Sequence, residues 1–220
     1  MKLSKKKVAA IASIVCIIAI LSMGSLAWFS DEDTITNTLK FATDEETGET
    51  DFGVDVYEMD GETKKDDGMV YDKLLPNQKI AKAPIIENDG QYKEWVYFTV
   101  TVNHTEIFGK YYEDAASFAA LFEGFNPDLW DNFDSSKDYV LDNDNHTITY
   151  FGYSKNIFNP GDKVTLFTNF TVPKELTVED ANAMANSFTI EVHAEAVQAE
   201  NLPEGCDTAK EAFALLKESN

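Results

Sequence analysis

Three histidines come first, because imidazole is the side chain most often used to hold a metal or move a proton near neutral pH. His104 and His193 each stand two residues before a carboxylate, in His104-Thr105-Glu106 and His193-Ala194-Glu195, while His146 is followed by Thr147. Residues i and i+2 of a strand share a face, so each H-x-E pair offers two ligands to a cation. A zinc site needs at least three protein ligands, and no third can be assigned to either pair. His104, Glu106, His193 and Glu195 are therefore weak metal candidates, and the sequence specifies no metal. The HExxH helix of zinc proteases is absent. Gly152-Tyr153-Ser154-Lys155-Asn156 opens like a nucleophile elbow but lacks the second glycine. Asp142-Asn143-Asp144-Asn145 gathers hard oxygens of the kind Ca²⁺ takes, without the glycine and distal glutamate of an EF-hand loop, and reads as a hairpin turn. Three glycosylation-type triplets, starting at Asn103, Asn145 and Asn169, carry little information by themselves. No Gly-rich loop is present to cradle a phosphate, and carboxylates are too abundant for spacing to single out a glycosidase pair. No catalytic residue is nominated and no cofactor is implied.

The carboxylates dominate the charge. The 220 residues carry 39 Asp+Glu against 18 Lys+Arg, all of them Lys, for a net charge of −21. Nucleic acid is excluded as a partner, since binding it requires cations to displace counterions from phosphates. Four of the lysines, Lys2, Lys5, Lys6 and Lys7, stand at the N-terminus with no acid near them. An apolar run follows at 8–21, and then Ser25 and Ala27 place small residues where a signal peptidase reads them. Residues 1–27 are thus expected to be a secretory signal peptide cleaved before Trp28. The competing expectation is an uncleaved anchor, because a helix over 8–29 would be about 33 Å long at ~1.5 Å per residue. Cys16 lies inside the apolar run, not at a lipidation site at its end. Removal of 1–27 leaves Cys206 as the only cysteine, a net charge of −25, and a domain that must hold together by packing.

The elements that would position these groups are mostly strands. Over 34–41, Ile35, Asn37, Leu39 and Phe41 alternate with Thr34, Thr36, Thr38 and Lys40, which predicts one strand. Residues 52–59 alternate again, and 60–68 reads as a solvated turn. Pro84 predicts an edge strand within 79–87. Asn88-Asp89-Gly90 is turn chemistry, and 95–102 is the longest β-rich run and predicts a central strand. Ala115, Phe118, Ala119 and Phe122 predict a helix over 113–122 with Gly124 as its stop. Residues 139–141 and 147–151 form a hairpin, and 163–172 follows the Asn159-Pro160-Gly161-Asp162 turn as a strand. A short helix over 177–186 is capped by Thr177 with Asp180. Residues 187–197 alternate, and 207–217 closes the chain as an amphipathic helix. The fold class is mainly β, an antiparallel sandwich or jelly roll with two or three short helices. The organisation is 1–27 leader, 28–41 strand-forming segment, and 42–220 domain. Leu202-Pro203-Glu204-Gly205 has Gly where a cell-wall sorting motif needs Thr, and a helix follows where an apolar tail should be.

Three blocks carry a resemblance to a known family. The leader ending at 21–42, LSMGSLAWFSDEDTITNTLKFA, is similar to that of TasA, camelysin (CalY) and their relatives, which the dedicated signal peptidase SipW processes. The stretch Leu75-Pro76-Asn77, Ile86-Glu87-Asn88-Asp89-Gly90 and Trp95-Val96-Tyr97-Phe98-Thr99-Val100 resembles the family's central pattern, with Asn77 for the usual Gly and Phe98 for the usual Arg. The C-terminal half, including Val192-His193-Ala194-Glu195-Ala196-Val197-Gln198-Ala199, is similar as well, whereas 105–158 carries no resemblance. What the resemblance implies is a secreted, pilin-like jelly-roll protein of a Gram-positive bacterium, in the extracellular matrix or at the cell surface. Such proteins polymerise into biofilm-matrix fibres by donor-strand exchange. The implied partners are copies of the chain head-to-tail, a SipW-type signal peptidase and other biofilm-matrix proteins. Ile35, Asn37, Leu39 and Phe41 then form the candidate donor strand. Two other readings stay open: a non-polymerising secreted or surface binding module, and a camelysin-like metalloprotease.

Overall fold

Period-two burial of β-branched and aromatic residues builds the strands of this protein. The computed structural model describes residues 52–71, 74–131, 137–185, 187–203 and 206–218, together with the strand pairing of 30–34 and 37–39. In chain order the described strands are β1 (Ser30–Thr34), β2 (Asn37–Leu39), β3 (Val54–Asp60), β4 (Thr63–Lys65), β5 (Lys79–Ile80), β6 (Ile85–Asn88) and β7 (Glu94–Asn103). They continue with β8 (Phe122–Glu123), β9 (Trp130–Asp131), β10 (Tyr139–Asp142), β11 (Thr147–Ser154), β12 (Lys163–Thr165), β13 (Asn169–Thr171) and β14 (Ile190–Gln198). The described helices are α1 (Thr105–Phe108), α2 (Ala115–Ala119), α3 (Val178–Met184) and α4 (Ala209–Glu218).

The largest sheet runs β10-β11-β7-β14-β1-β2, with β9 also paired to β11. A second sheet runs β12-β6-β3-β4 and a third β5-β13-β8. Every strand pair is antiparallel. The protein is therefore mainly β, with few and short helices, as the alternation predicted. One cluster joins Val96, Phe98, Val100 and Val102 of β7, Ile148 and Tyr150 of β11, and Val192, Ala194 and Ala196 of β14 to Val54, Val56 and Ile86 of the second sheet. Residues at the other parity of β7 and β14, Trp95 and Val197, pack with Ala209, Ala212 and Phe213 of α4. The central strand is thus covered on both faces over its first half. Gly152 registers opposite Phe98, and a Cβ there would stand 2.7 Å from the Phe98 ring.

Several expectations need correcting. The run 34–41 is not one strand: Thr34 pairs with Asn37, so the chain reverses between β1 and β2. The run 163–172 breaks at Leu166–Thr168, which places β12 and β13 in different sheets. Leu166 and Phe167 are buried, and the Leu166 amide donates to the Pro84 carbonyl at 2.9 Å. Pro84 does not mark an edge: it precedes β6, which is flanked by β12 and β3. The expected turn at 60–68 contains β4, paired back on β3. The helix over 113–122 is shorter, because Asp114 and Ser117 close a capping box before Ala115 and Phe122 already belongs to β8. The Thr177–Asp180 capping box of α3 forms as the sequence predicts.

Candidate functional site

Strand β14 is the place where the N-terminal segment meets the domain. Inward residues Val192, Ala194 and Ala196 are buried, and Glu191 on the other parity is exposed. One side of β14 pairs with β7 from Ile190↔Val102 to Gln198↔Glu94. The other side pairs with β1, from Ser30↔Val197 to Thr34↔His193. Register sets Asp31 against Ala196 and Asp33 against Ala194, and it sets Glu32 directly against Glu195. Acidic residues are depleted in strands, and like charges directly opposed destabilise a pair. By composition β1 is a poor occupant of this position. Of the four candidate donor residues, Asn37 and Leu39 lie in β2, and Ile35 and Phe41 lie outside the described residues, as do the cleavage-site residues Ser25, Ala27 and Trp28 and the whole leader.

Chemically, a strand in the β1 position supplies one row of backbone donors and acceptors. Without it, the β14 edge would present the complementary row, which is a template for strand addition.

Both H-x-E pairs meet, for different reasons. His193 and Glu195 share a face of β14, with Nε2 and Oε1 3.2 Å apart. His104 is not in a strand: it adopts φ 63° as the residue before α1, and its Nδ1 lies 3.0 Å from Glu106 Oε1. His146 comes within 3.8 Å of the other Glu106 oxygen, an approach that sequence spacing gave no sign of. Burial acts to raise the Glu106 carboxyl, but the bond to His104 and the charges of His104 and His146 outweigh it and hold the group below its ordinary value. No group of three or more His, Cys, Asp or Glu side chains among the described residues is placed to hold a metal ion.

His104 Nε2 also lies 3.0 Å from Ser187 Oγ. Ser187, His104 and Glu106 thus fall in the order of nucleophile, base and orienting acid. The neighbouring amides are committed elsewhere: Ser187 and Phe188 donate to the Met184 carbonyl, and Thr189 donates to Asn103. None of those three can hold an oxyanion, which catalysis of acyl transfer requires. The Asn103 amide donates to the Ser187 carbonyl at 2.6 Å, so the cluster fastens the entry of β14 to the end of β7.

Other buried polar groups brace the domain. Asn88 donates to the carbonyls of Tyr92 and Phe158 and accepts from the Gly90 amide. It therefore holds two loops from a fully buried position. Asp180 accepts from Lys110, Thr177 and Tyr111, and those bonds hold its carboxyl far below the usual range against the opposing effect of burial.

Searches against protein-family models, curated proteins and solved structures give no match. Among the described residues no helix is long and apolar enough to cross a membrane.

Proposed function

We propose that this chain is a secreted structural protein of a Gram-positive bacterium that polymerises into biofilm-matrix fibres or pili through its N-terminal segment. The observation that carries the reading is the edge of β14, paired within one chain by an acidic strand that ends in a tight reversal. A mixed sequence rich in charge gains little there, whereas burial of Ile35, Leu39 and Phe41 in a neighbouring copy would contribute roughly 5–9 kcal/mol gross at ~1.5–3 kcal/mol per side chain. Backbone pairing adds to this, and a head-to-tail contact that does not close extends into a filament. Removal of the leader frees the segment, which makes a SipW-type signal peptidase the upstream partner and other matrix proteins the downstream ones.

The test is direct. The secreted protein is expected to begin at Trp28 by mass spectrometry and to form filaments visible by negative-stain electron microscopy, which deletion of 28–41 abolishes. Monomers at all concentrations, with the segment intact, would refute assembly. They would favour the non-polymerising binding module, a reading supported by the completion of the sheet by β1 within a single chain. Chelator-sensitive cleavage of azocasein would instead support the metalloprotease reading.

A further inference from the structure

We infer that, in the assembled form, β14 of one chain pairs with residues 35–41 of a second copy in a register displaced by four residues from the one that Ser30–Thr34 holds within a single chain. This inference rests on the assembly reading above and specifies its contact. Four positions of β14 share the parity that faces the core: Val192, Ala194 and Ala196 are buried and Ile190 is half-buried. Residues directly opposed across an antiparallel pair share a face, so whatever registers with these four positions joins the core row. On the β7 side that row is completed by Val102, Val100, Phe98 and Val96, all buried. On the β1 side the same row receives Asp33 at Ala194 and Asp31 at Ala196. By register, acidic residues thus take two positions of a row that is apolar on its β7 side, and Asp is among the residues depleted in strands.

The alternatives can be enumerated from the sequence. A displacement by an odd number of residues exchanges the faces and brings threonines and Lys40 to the core row. A displacement by two keeps Asp33 in the row, opposite Ala196, and adds Ile35 and Leu39. A displacement by six brings in Leu39 and Phe41 with Asn37 and Thr43. A displacement by four sets Ile35 against Ala196, Asn37 against Ala194, Leu39 against Val192 and Phe41 against Ile190. It is the one register of these that brings all three apolar residues to the core row and no acid.

The outer row argues the same way and independently. The in-chain register opposes Glu32 to Glu195. The displaced register opposes Thr36 to Glu195, Thr38 to His193 and Lys40 to the exposed Glu191, so a repulsion is exchanged for an attraction. The occupant that fits this edge is a second copy of the chain, contributing its own 35–41.

Paired cysteines test the register. In a Cys206→Ser parent secreted with its leader and collected from the medium, Thr38→Cys with His193→Cys is expected to give a ladder of oligomers on non-reducing gels of oxidised filaments. Thr34→Cys with His193→Cys is expected to close within the monomer and give no ladder. A ladder from the 34/193 pair, with the 38/193 pair silent, would overturn the displaced register while leaving assembly standing. Failure of the Cys206→Ser parent itself to form filaments would remove the assembly reading, and the register with it. A second measurement avoids cysteines: Lys40→Glu is expected to slow elongation by up to about fivefold, and adding Glu191→Lys to restore it. No restoration in filaments of the double variant would refute the Lys40–Glu191 contact and the register that requires it.

Discussion

The buried Glu58–Lys82 pair offers the sharpest energetic test of the domain. Glu58 shares the inward parity of Val54 and Val56 on β3, so the strand's own period carries a carboxylate into the interior. Both side chains are nearly inaccessible, at 1% and 7% exposed, and Lys82 Nζ lies 2.9 Å from Glu58 Oε1. The Tyr71 hydroxyl stands 3.3 Å from the second carboxylate oxygen, and burial followed by the Glu58 charge pushes that phenol up. At this separation and an effective dielectric constant of ~20, the attraction is about 6 kcal/mol gross, most of it offset by desolvation of two ions. Lys82→Met removes the attraction but leaves the carboxylate buried, and is expected to cost about 3–5 kcal/mol. For a chain of this length that lowers the melting temperature by roughly 6–20 °C. Glu58→Leu combined with Lys82→Met removes both ions, and is expected to return stability to near the parent value or above it. Urea unfolding followed by tryptophan fluorescence measures the parent, the Glu58→Leu and Lys82→Met single variants and the double variant, with the m-value as a check that the unfolded states are comparable. A Lys82→Met cost below about 1 kcal/mol would refute the claim that the pair is mutually dependent. A double variant as unstable as the sum of the two singles would refute it as well.

Three further outcomes follow from the same geometry. Asp180→Asn is expected to destabilise the domain at pH 7. Because the folded carboxyl is held below its unfolded value, its contribution is fully present above the ordinary Asp pKa of ~3.9 and is lost as pH falls below it, so the difference between parent and variant in urea titrations should be constant at neutral pH and shrink from pH 4 downward. Asn88→Ala removes a donor from the Tyr92 and Phe158 carbonyls and an acceptor from the Gly90 amide, although the Glu94 amide still reaches Phe158 and the Gly53 carbonyl still reaches Gly90, and it is expected to cost about 1–3 kcal/mol with faster amide exchange at Gly90. Gly152→Ala pushes a methyl group against the Phe98 ring and is expected to cost about 1–3 kcal/mol by denaturant unfolding.

What the sequence made legible was set by the range of the physics involved. Alternation identified β7, β11 and β14, because each has one parity in a continuous core, and local capping chemistry identified α3 from Thr177 and Asp180. The break inside 163–172 was not legible, since Leu166 and Phe167 are as apolar as a strand interior and are buried in a bend that the distant Pro84 carbonyl holds. Nor was the pairing of Glu58 with Lys82, which lies 24 positions away. Asn88 could be read as a turn residue but not as a buried tie, because its partner Phe158 comes from another part of the chain. At the candidate site the alternation of Ile35, Leu39 and Phe41 was visible, but the acidic occupant of β1 was not. In Ser-Asp-Glu-Asp-Thr only Thr34 favours a strand, and the segment becomes one through its pairing with β14.

The order of strands in the largest sheet bears on how the chain folds. Residues 30–34 pair with residues 193–197, and β7 waits for the same distant strand. Closing so long a loop carries an entropic cost that must be met before any contact rewards it, so this topology has a high contact order and belongs with the slow, millisecond-to-second folders. The sheet cannot be completed until β14 has been made and delivered. Until then β1 and one edge of β7 lack the strand they pair with, while β3 with β6 and β7 with β11 can already form. On the assembly proposed above, closure of β14 by the chain's own N-terminus would compete with capture of a strand from another molecule, and protein concentration at the moment of folding would set the ratio of the two products.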